Sequence, residues 1–264
     1  RIREAMESLQ AEGVTKLVLD LRNNPGGLIT SAVDVANKFI SQGPIVSTKS
    51  RLLFENHQFT SSKDTTTVNT DIPIVVLINK GSASASEIVS GALKDYHIAY
   101  LVGERTYGKG SVQQVIPLSN TDGIKLTMAR YYTPSDVNID KIGIPPDLEV
   151  LNMPVLSKLQ EEKYVELMKS NEISKIVDSN KDMKESDIAA AAKKLSAAYP
   201  LDERLLRRLI RIQVQKNHPA PLYDMDWDLQ LKQAISIIND GKFKRLVSNT
   251  KTLKQLQEEV ASAK

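Results

Sequence analysis

The sequence predicts a layered α/β core followed by an all-helical region. Three observations carry this. Short apolar runs rich in β-branched residues, at 16–21, 45–48, 73–79 and 98–104, alternate with helix-like stretches. That is the pattern of a sheet with helices packed on it. From about residue 155 the pattern changes to helical periodicity. Finally, the small-residue loop Gly81-Ser82-Ala83-Ser84-Ala85-Ser86 joins the most apolar of the runs to a helix. Such a junction presents backbone N–H groups at a positive helix end.

Taken in order, residues 1–12 carry Ile2, Met6 and Leu9 at helical spacing, and Gly13 ends the helix. The strand at 16–21 runs into Arg22-Asn23-Asn24-Pro25-Gly26-Gly27, a turn built of residues that tolerate tight or left-handed backbone. Residues 28–40 form a helix with Ile29, Ala32, Val33, Ala36 and Ile40 on its apolar side. A strand at 45–48 and an exposed loop at 61–67 follow. Residues 73–79 are too short and too β-branched for a typical helix and read as a buried strand. The helix after the small-residue loop covers 88–96. Residues 98–104 form another strand, leading to Thr106-Tyr107-Gly108-Lys109-Gly110. Residues 112–118 and 123–133 pair about the turn Asn120-Thr121-Asp122-Gly123.

Residues 1–150 are therefore expected to form the core and 151–264 a helical region. Its helices are expected at 155–170, 172–179, 186–198, 202–216, 226–240 and 250–263, interrupted at Pro200 and at Pro219-Ala220-Pro221. Arg204, Arg207, Arg208 and Arg211 lie beside the apolar face of one of these helices and read as a solvated face rather than a nucleic-acid surface. Trp227 is expected in the core or at an interface.

Composition narrows the function. The chain has 264 residues, 41% hydrophobic and 25% charged, with a formal net charge of +3. That charge is too slight to argue for nucleic acid or an anionic membrane. No apolar run is long enough to span a bilayer as a helix. Cysteine is absent, so disulfides, thiolate nucleophiles and cysteine metal sites are excluded. His57, His97 and His218 show no metal-ligand spacing, and no cofactor is expected. The chain begins at Arg1 rather than Met and shows no signal peptide, which reads as a mature or partial chain.

Ser84 stands where a helix N-terminus could hold both a nucleophile and an oxyanion. The same residue, three before Glu87, also fits a capping box, the commoner role for such a serine. Lys109, between two glycines, is either a solvated loop lysine or a base.

These stretches carry a resemblance. The run Ser82-Ala83-Ser84-Ala85-Ser86-Glu87-Ile88, the segment Gly103-Glu104-Arg105-Thr106-Tyr107-Gly108-Lys109-Gly110-Ser111-Val112-Gln113 and the preceding Leu19-Asp20-Leu21-Arg22-Asn23-Asn24-Pro25-Gly26-Gly27 resemble the carboxy-terminal processing (tail-specific) serine proteases, in the family order. The resemblance implies a crotonase/Clp-protease-like layered core and a serine endopeptidase cutting proteins in or near unstructured C-terminal tails. It implies Ser84 as nucleophile, Lys109 as general base, Gln113 as the residue orienting the lysine, and the N–H groups of Gly27 and Ala85 as the oxyanion hole. It further implies a periplasmic or cell-envelope location, and a signal or anchor and a PDZ domain ahead of the matched stretch, neither visible here. The helical region is a candidate surface for homo-oligomerisation, and an adaptor protein a candidate partner. Asp136 replaces the family's usual glycine in Thr133-Pro134-Ser135-Asp136.

A lysine accepts a proton only in its neutral form, which burial favours. Burial of Lys109, with its flanking glycines turning the backbone inward, is therefore expected, and a neutral Gln113 would hold the amine without favouring the ammonium. Two other classes compete. One is a catalytically idle, protease-like scaffold, against which the intact Ser84, Lys109 and Gln113 argue. The other is a crotonase-type acyl-CoA enzyme, against which Gly-Lys-Gly and the lack of an acidic pair near the glycines argue.

Overall fold

The structure, a computed structural model, describes residues 2–52, 54, 56–216 and 223–262. His218 and Pro219-Ala220-Pro221, singled out above, lie outside the described residues. The chain divides into two compact units, Arg1–Val150 with Gln233–Lys264, and Leu151–Lys232.

In chain order the first stretch holds α1 (Ile2–Ala11), β1 (Leu17–Asp20), α2 (Ile29–Ala36), β2 (Pro44–Lys49), β3 (His57–Thr60), β4 (Ile74–Ile78), α3 (Ala85–Asp95), β5 (Tyr100–Gly103), β6 (Ser111–Pro117), β7 (Gly123–Tyr132) and β8 (Leu148–Glu149). The helices α4 (Lys158–Lys169), α5 (Glu172–Ser179), α6 (Glu185–Ala198) and α7 (Glu203–Val214) follow, then α8 (Leu229–Asn239), α9 (Phe243–Ser248) and α10 (Leu253–Ser262).

The strands form two four-stranded sheets. The first is parallel, in the order β1-β4-β5-β8, with Leu17 opposite Ile74 and Val75 opposite Tyr100. Every residue of β4 is fully buried, which explains its continuous apolar run, since a central parallel strand is covered on both faces. The second sheet is antiparallel, in the order β3-β2-β7-β6. The β6–β7 hairpin reads directly from sequence, whereas β3 and the two-residue β8 do not. His57-Gln58-Phe59-Thr60 has three exposed positions out of four, too weak a pattern to mark a strand.

The core of the first unit joins α2 and α3 to β1, β4 and β5 through Leu17, Ala32, Ala36, Ile74, Val76, Ile88, Ala92, Leu93 and Leu101. Burying each large aliphatic side chain is worth roughly 1.5–3 kcal/mol. A buried ion pair also belongs to this unit: Lys94 of α3 meets Asp147, with side chains 1% and 6% exposed. Asp147 also accepts from Leu101 N at 2.8 Å. Asp136 adopts φ +63°, a conformation aspartate tolerates, and its amide closes the turn onto Thr133 O at 2.9 Å. The turn is thus kept without glycine.

The expected helical region 151–264 needs correction as one body, because residues 233–264 cluster with the first unit. The reason is local: Leu253 joins the first core, and its amide donates to Asp95 Oδ1 at 2.8 Å. The helix α9 was also not anticipated.

The second unit is helical, with its own core of Leu167, Val177, Ile188, Leu195, Leu206 and Ile210. Its arginines are paired rather than solvated. Arg211, only 8% exposed, binds Glu185, Asp224 and Asp226, and these carboxylates push its guanidinium above its ordinary value against the opposing effect of burial. Arg208 pairs with Asp224, and Arg204 lies over the Trp227 ring at 4.6 Å. The acidic partners are distant in sequence, so helical periodicity alone could not reveal them.

Candidate active site

The loop from Gly81 to Ser84 leaves the buried strand β4 and enters α3. Ser84 sits at the helix N-cap with φ +55° and ψ −115°. This backbone is unusual for a non-glycine residue and costs on the order of 1–3 kcal/mol. Other contacts hold it there. Ser82 Oγ donates to Leu21 O at 2.7 Å and accepts from Asn79 N at 3.0 Å. Ser86 Oγ donates to Asn24 O at 3.0 Å. The hydroxyls on either side of Ser84 are therefore committed to holding the loop.

The turn after β1 is clamped to the same loop. Ala83 N donates to Asn24 O at 3.0 Å, and Asn23 N to Asn79 Oδ1 at 2.9 Å. Asn79 Nδ2 returns a bond to Asn23 Oδ1 at 3.0 Å. Gly26, at φ +90°, presses against the serine loop so closely that a Cβ on it would lie 2.5 Å from Ala83 O and 2.6 Å from Ala85 N. Only glycine fits there. Among the described residues, the N–H groups of Gly27 and Ala85 donate to no protein acceptor. They are the two donors expected of an oxyanion hole, and Ala85 adds the positive end of α3.

The third element is the Lys109 loop, joined to Ser84 through Glu87. This carboxylate is fully buried. Its Oε2 accepts from Ser84 N at 2.9 Å and from Lys109 N at 2.8 Å. Its Oε1 accepts from Gly108 N at 2.7 Å and from the Thr106 hydroxyl. Four donors fill the four lone-pair sites of one carboxylate. The backbone nitrogens of Ser84 and Lys109 thus share a single acceptor oxygen. Half of this was legible in sequence, since the capping-box spacing places Glu87 over Ser84 N. Its reach to Thr106, Gly108 and Lys109 was not, because those residues arrive on the loop between β5 and β6.

Two expectations about Lys109 are corrected. Its side chain is exposed, not buried. The flanking glycines do not turn the lysine inward; they are themselves the buried residues. A Cβ on Gly110 would lie 2.4 Å from Asp140 N, and one on Gly108 would lie 2.9 Å from Gly143 N. They let the loop press onto residues 139–143, which leaves the lysine on the outer side. Gln113 lies on β6 opposite Thr127 and is also exposed. No hydrogen bond joins it to Lys109 among the described residues. Tyr131, whose amide donates to Gly110 O at 2.8 Å, has its phenol pushed up by burial.

Of the two described histidines, neither lies near Ser84 as a competing base. His97 lies past the far end of α3, its Nδ1 2.8 Å from Thr250 Oγ1. At 1.5 Å per residue the helix holds it roughly 15–20 Å from Ser84. His57 begins β3 and is exposed.

A serine on a strained turn, two unengaged N–H donors and a lysine loop tied to that serine define a candidate acyl-transfer site. The profile of Peptidase family S41 matches residues 1–150, and the chain belongs to this family. A carboxyl-terminal-processing protease of Synechocystis sp. is 44% identical over 156 residues, covering 59% of this chain and 35% of that protein. A chloroplastic C-terminal processing peptidase of Tetradesmus obliquus is 42% identical over 150 residues, covering 56% of this chain and 31% of that protein. The chain thus spans about a third of the length of these relatives. Among solved structures, a photosystem II D1 C-terminal processing protease aligns with a TM-score of 0.51 and 40% identity, over 56% of this chain and 38% of that one.

Proposed function

We propose that the first unit carries the catalytic site of a serine endopeptidase that cleaves proteins in or near C-terminal tails. Ser84 is the nucleophile and Lys109 takes its proton. Gln113 orients the lysine, and the N–H groups of Gly27 and Ala85 receive the oxyanion. The carrying observation is the shared Glu87 oxygen, which fixes the backbones of Ser84 and Lys109 to each other beside two unengaged N–H donors. The names of the relatives support the reaction class and the tail preference. On this reading the two sheets are the crotonase/Clp-like layers, the location is extracytoplasmic, and the helices are a surface for self-association or an adaptor. Because Lys109 is exposed here, the reading requires bound peptide to displace water from it before it can accept a proton.

The exposed Lys109 and its missing bond to Gln113 favour a second reading, an idle protease-like scaffold. One experiment separates the two. The full chain is incubated with a denatured protein substrate and, separately, with a serine-reactive fluorophosphonate. Cleavage and labelling that vanish in Ser84→Ala, but persist in Ser82→Ala or Ser86→Ala once corrected for folding, support the peptidase. No cleavage and no labelling of the wild type supports the scaffold. Full activity of Ser84→Ala refutes the assignment of the nucleophile.

A further inference from the structure

Thr106 is 5% exposed, and its hydroxyl lies between two strict partners. Ile144 N donates to Thr106 Oγ1 at 2.6 Å. The hydroxyl proton is therefore directed away from Ile144, and it points to Glu87 Oε1 at 2.5 Å. The backbone of Thr106 repeats the tie, its amide donating to Ile144 O at 3.1 Å. Gly143, at φ +73°, packs so tightly here that a Cβ on it would lie 2.4 Å from Thr106 O. Gly143 and Ile144 thus fix Thr106, Thr106 fixes one oxygen of Glu87, and the other oxygen holds Ser84 N and Lys109 N.

We propose that Thr106 is a positioning residue for the reaction, setting through Glu87 the distance between the nucleophile and the lysine loop. This rests on the peptidase reading. The methyl group of threonine fills space and makes no hydrogen bond, so the hydroxyl alone carries the proposed role. Removing it leaves Ile144 N–H and Glu87 Oε1 each short of a partner, and frees the carboxylate to tilt toward Gly108 N. An error of about 1 Å in the placement of reacting groups is enough to cost on the order of 100-fold in rate.

The test uses the full chain with Thr106→Val, which keeps the shape, and Thr106→Ser, which keeps the hydroxyl. In Thr106→Val, kcat on a peptide substrate is expected to fall about 10- to 100-fold. KM should change less than threefold, and the pH–rate profile should shift because the setting of Lys109 has changed. Thr106→Ser should recover activity to within a few-fold and restore the profile. Independently of turnover, amide hydrogen exchange at Gly108 and Lys109 should speed up in Thr106→Val and not in Thr106→Ser. A Thr106→Val protein with wild-type exchange at those two amides overturns the proposal. So does an activity loss that only tracks the unfolded fraction with an unchanged profile. If the wild type neither cleaves nor labels, the peptidase reading fails, and the exchange result still decides whether the hydroxyl holds the loop.

Discussion

Replacing Glu87 with Gln keeps the shape of the side chain and changes only its hydrogen-bonding capacity. In the native protein four donors meet four lone-pair sites on a fully buried carboxylate. An amide offers one oxygen, with two sites, and an NH₂ group that is itself a donor. If the oxygen stays on Ser84 N and Lys109 N, the NH₂ faces Gly108 N and Thr106. The Thr106 oxygen can accept a second bond beside that from Ile144 N, though its own proton then loses its acceptor, and the Gly108 N–H is orphaned at about 1–3 kcal/mol. The three remaining bonds lose their ionic character, at about 1 kcal/mol each. Release from burying a charge offsets part of this. The expected loss is about 3–5 kcal/mol, a large share of a typical stability of roughly 5–15 kcal/mol. For a chain of this size it lowers Tm by about 6–20 °C. Activity should fall at least 100-fold even at temperatures where the variant is fully folded, because the side chain that anchors Ser84 and Lys109 loses its hold on Gly108 and the Thr106 proton and shifts both backbones with it. Differential scanning calorimetry and a peptidase assay at 15 °C read the two effects separately. A Tm within 2 °C of wild type together with full activity would refute the claim that Glu87 organises the site.

Three further outcomes are expected. Lys109→Arg should fold normally, since the lysine is exposed, and be inactive, since arginine stays protonated and cannot accept the serine proton; measurable turnover would remove Lys109 from the mechanism. Gly26→Ala should abolish activity and lower Tm, because its Cβ would intrude on Ala83 O and Ala85 N at a positive φ. Retained wild-type rates would show that the turn and the serine loop are not locked together. Asp147→Asn should cost about 3–5 kcal/mol by leaving Lys94 buried without its counter-charge, read as a shift in the urea midpoint at constant m-value; a shift under 1 kcal/mol would mean that water reaches the pair.

The local parts of the fold are legible in the residues alone. The apolar run of β4 reads as a buried strand, and the small-residue loop before α3 as a strand-to-helix junction. The glycines around Pro25 and Lys109 marked places of close backbone approach. Three ordered motifs point to Ser84 and Lys109. Each pairing between segments distant in the chain comes only with the packed fold. Glu87 was legible as a capping residue of its own helix, but its bonds to Thr106, Gly108 and Lys109 depend on where the strand after β5 returns. The arginines of α7 were legible as one helical face, but their partners Asp224, Asp226 and Glu185 lie on other segments. The last residues read as more of the same helical region, yet Leu253 and its amide are claimed by the first core through Asp95. Periodicity and motif spacing report interactions within a few turns or residues. Burial of Lys109, by contrast, depends on what packs over it, and the glycines that suggested an inward turn serve instead to seat their own backbone on residues 139–143. Local sequence encodes the conformation of a segment; only the packed fold sets which side of it meets water.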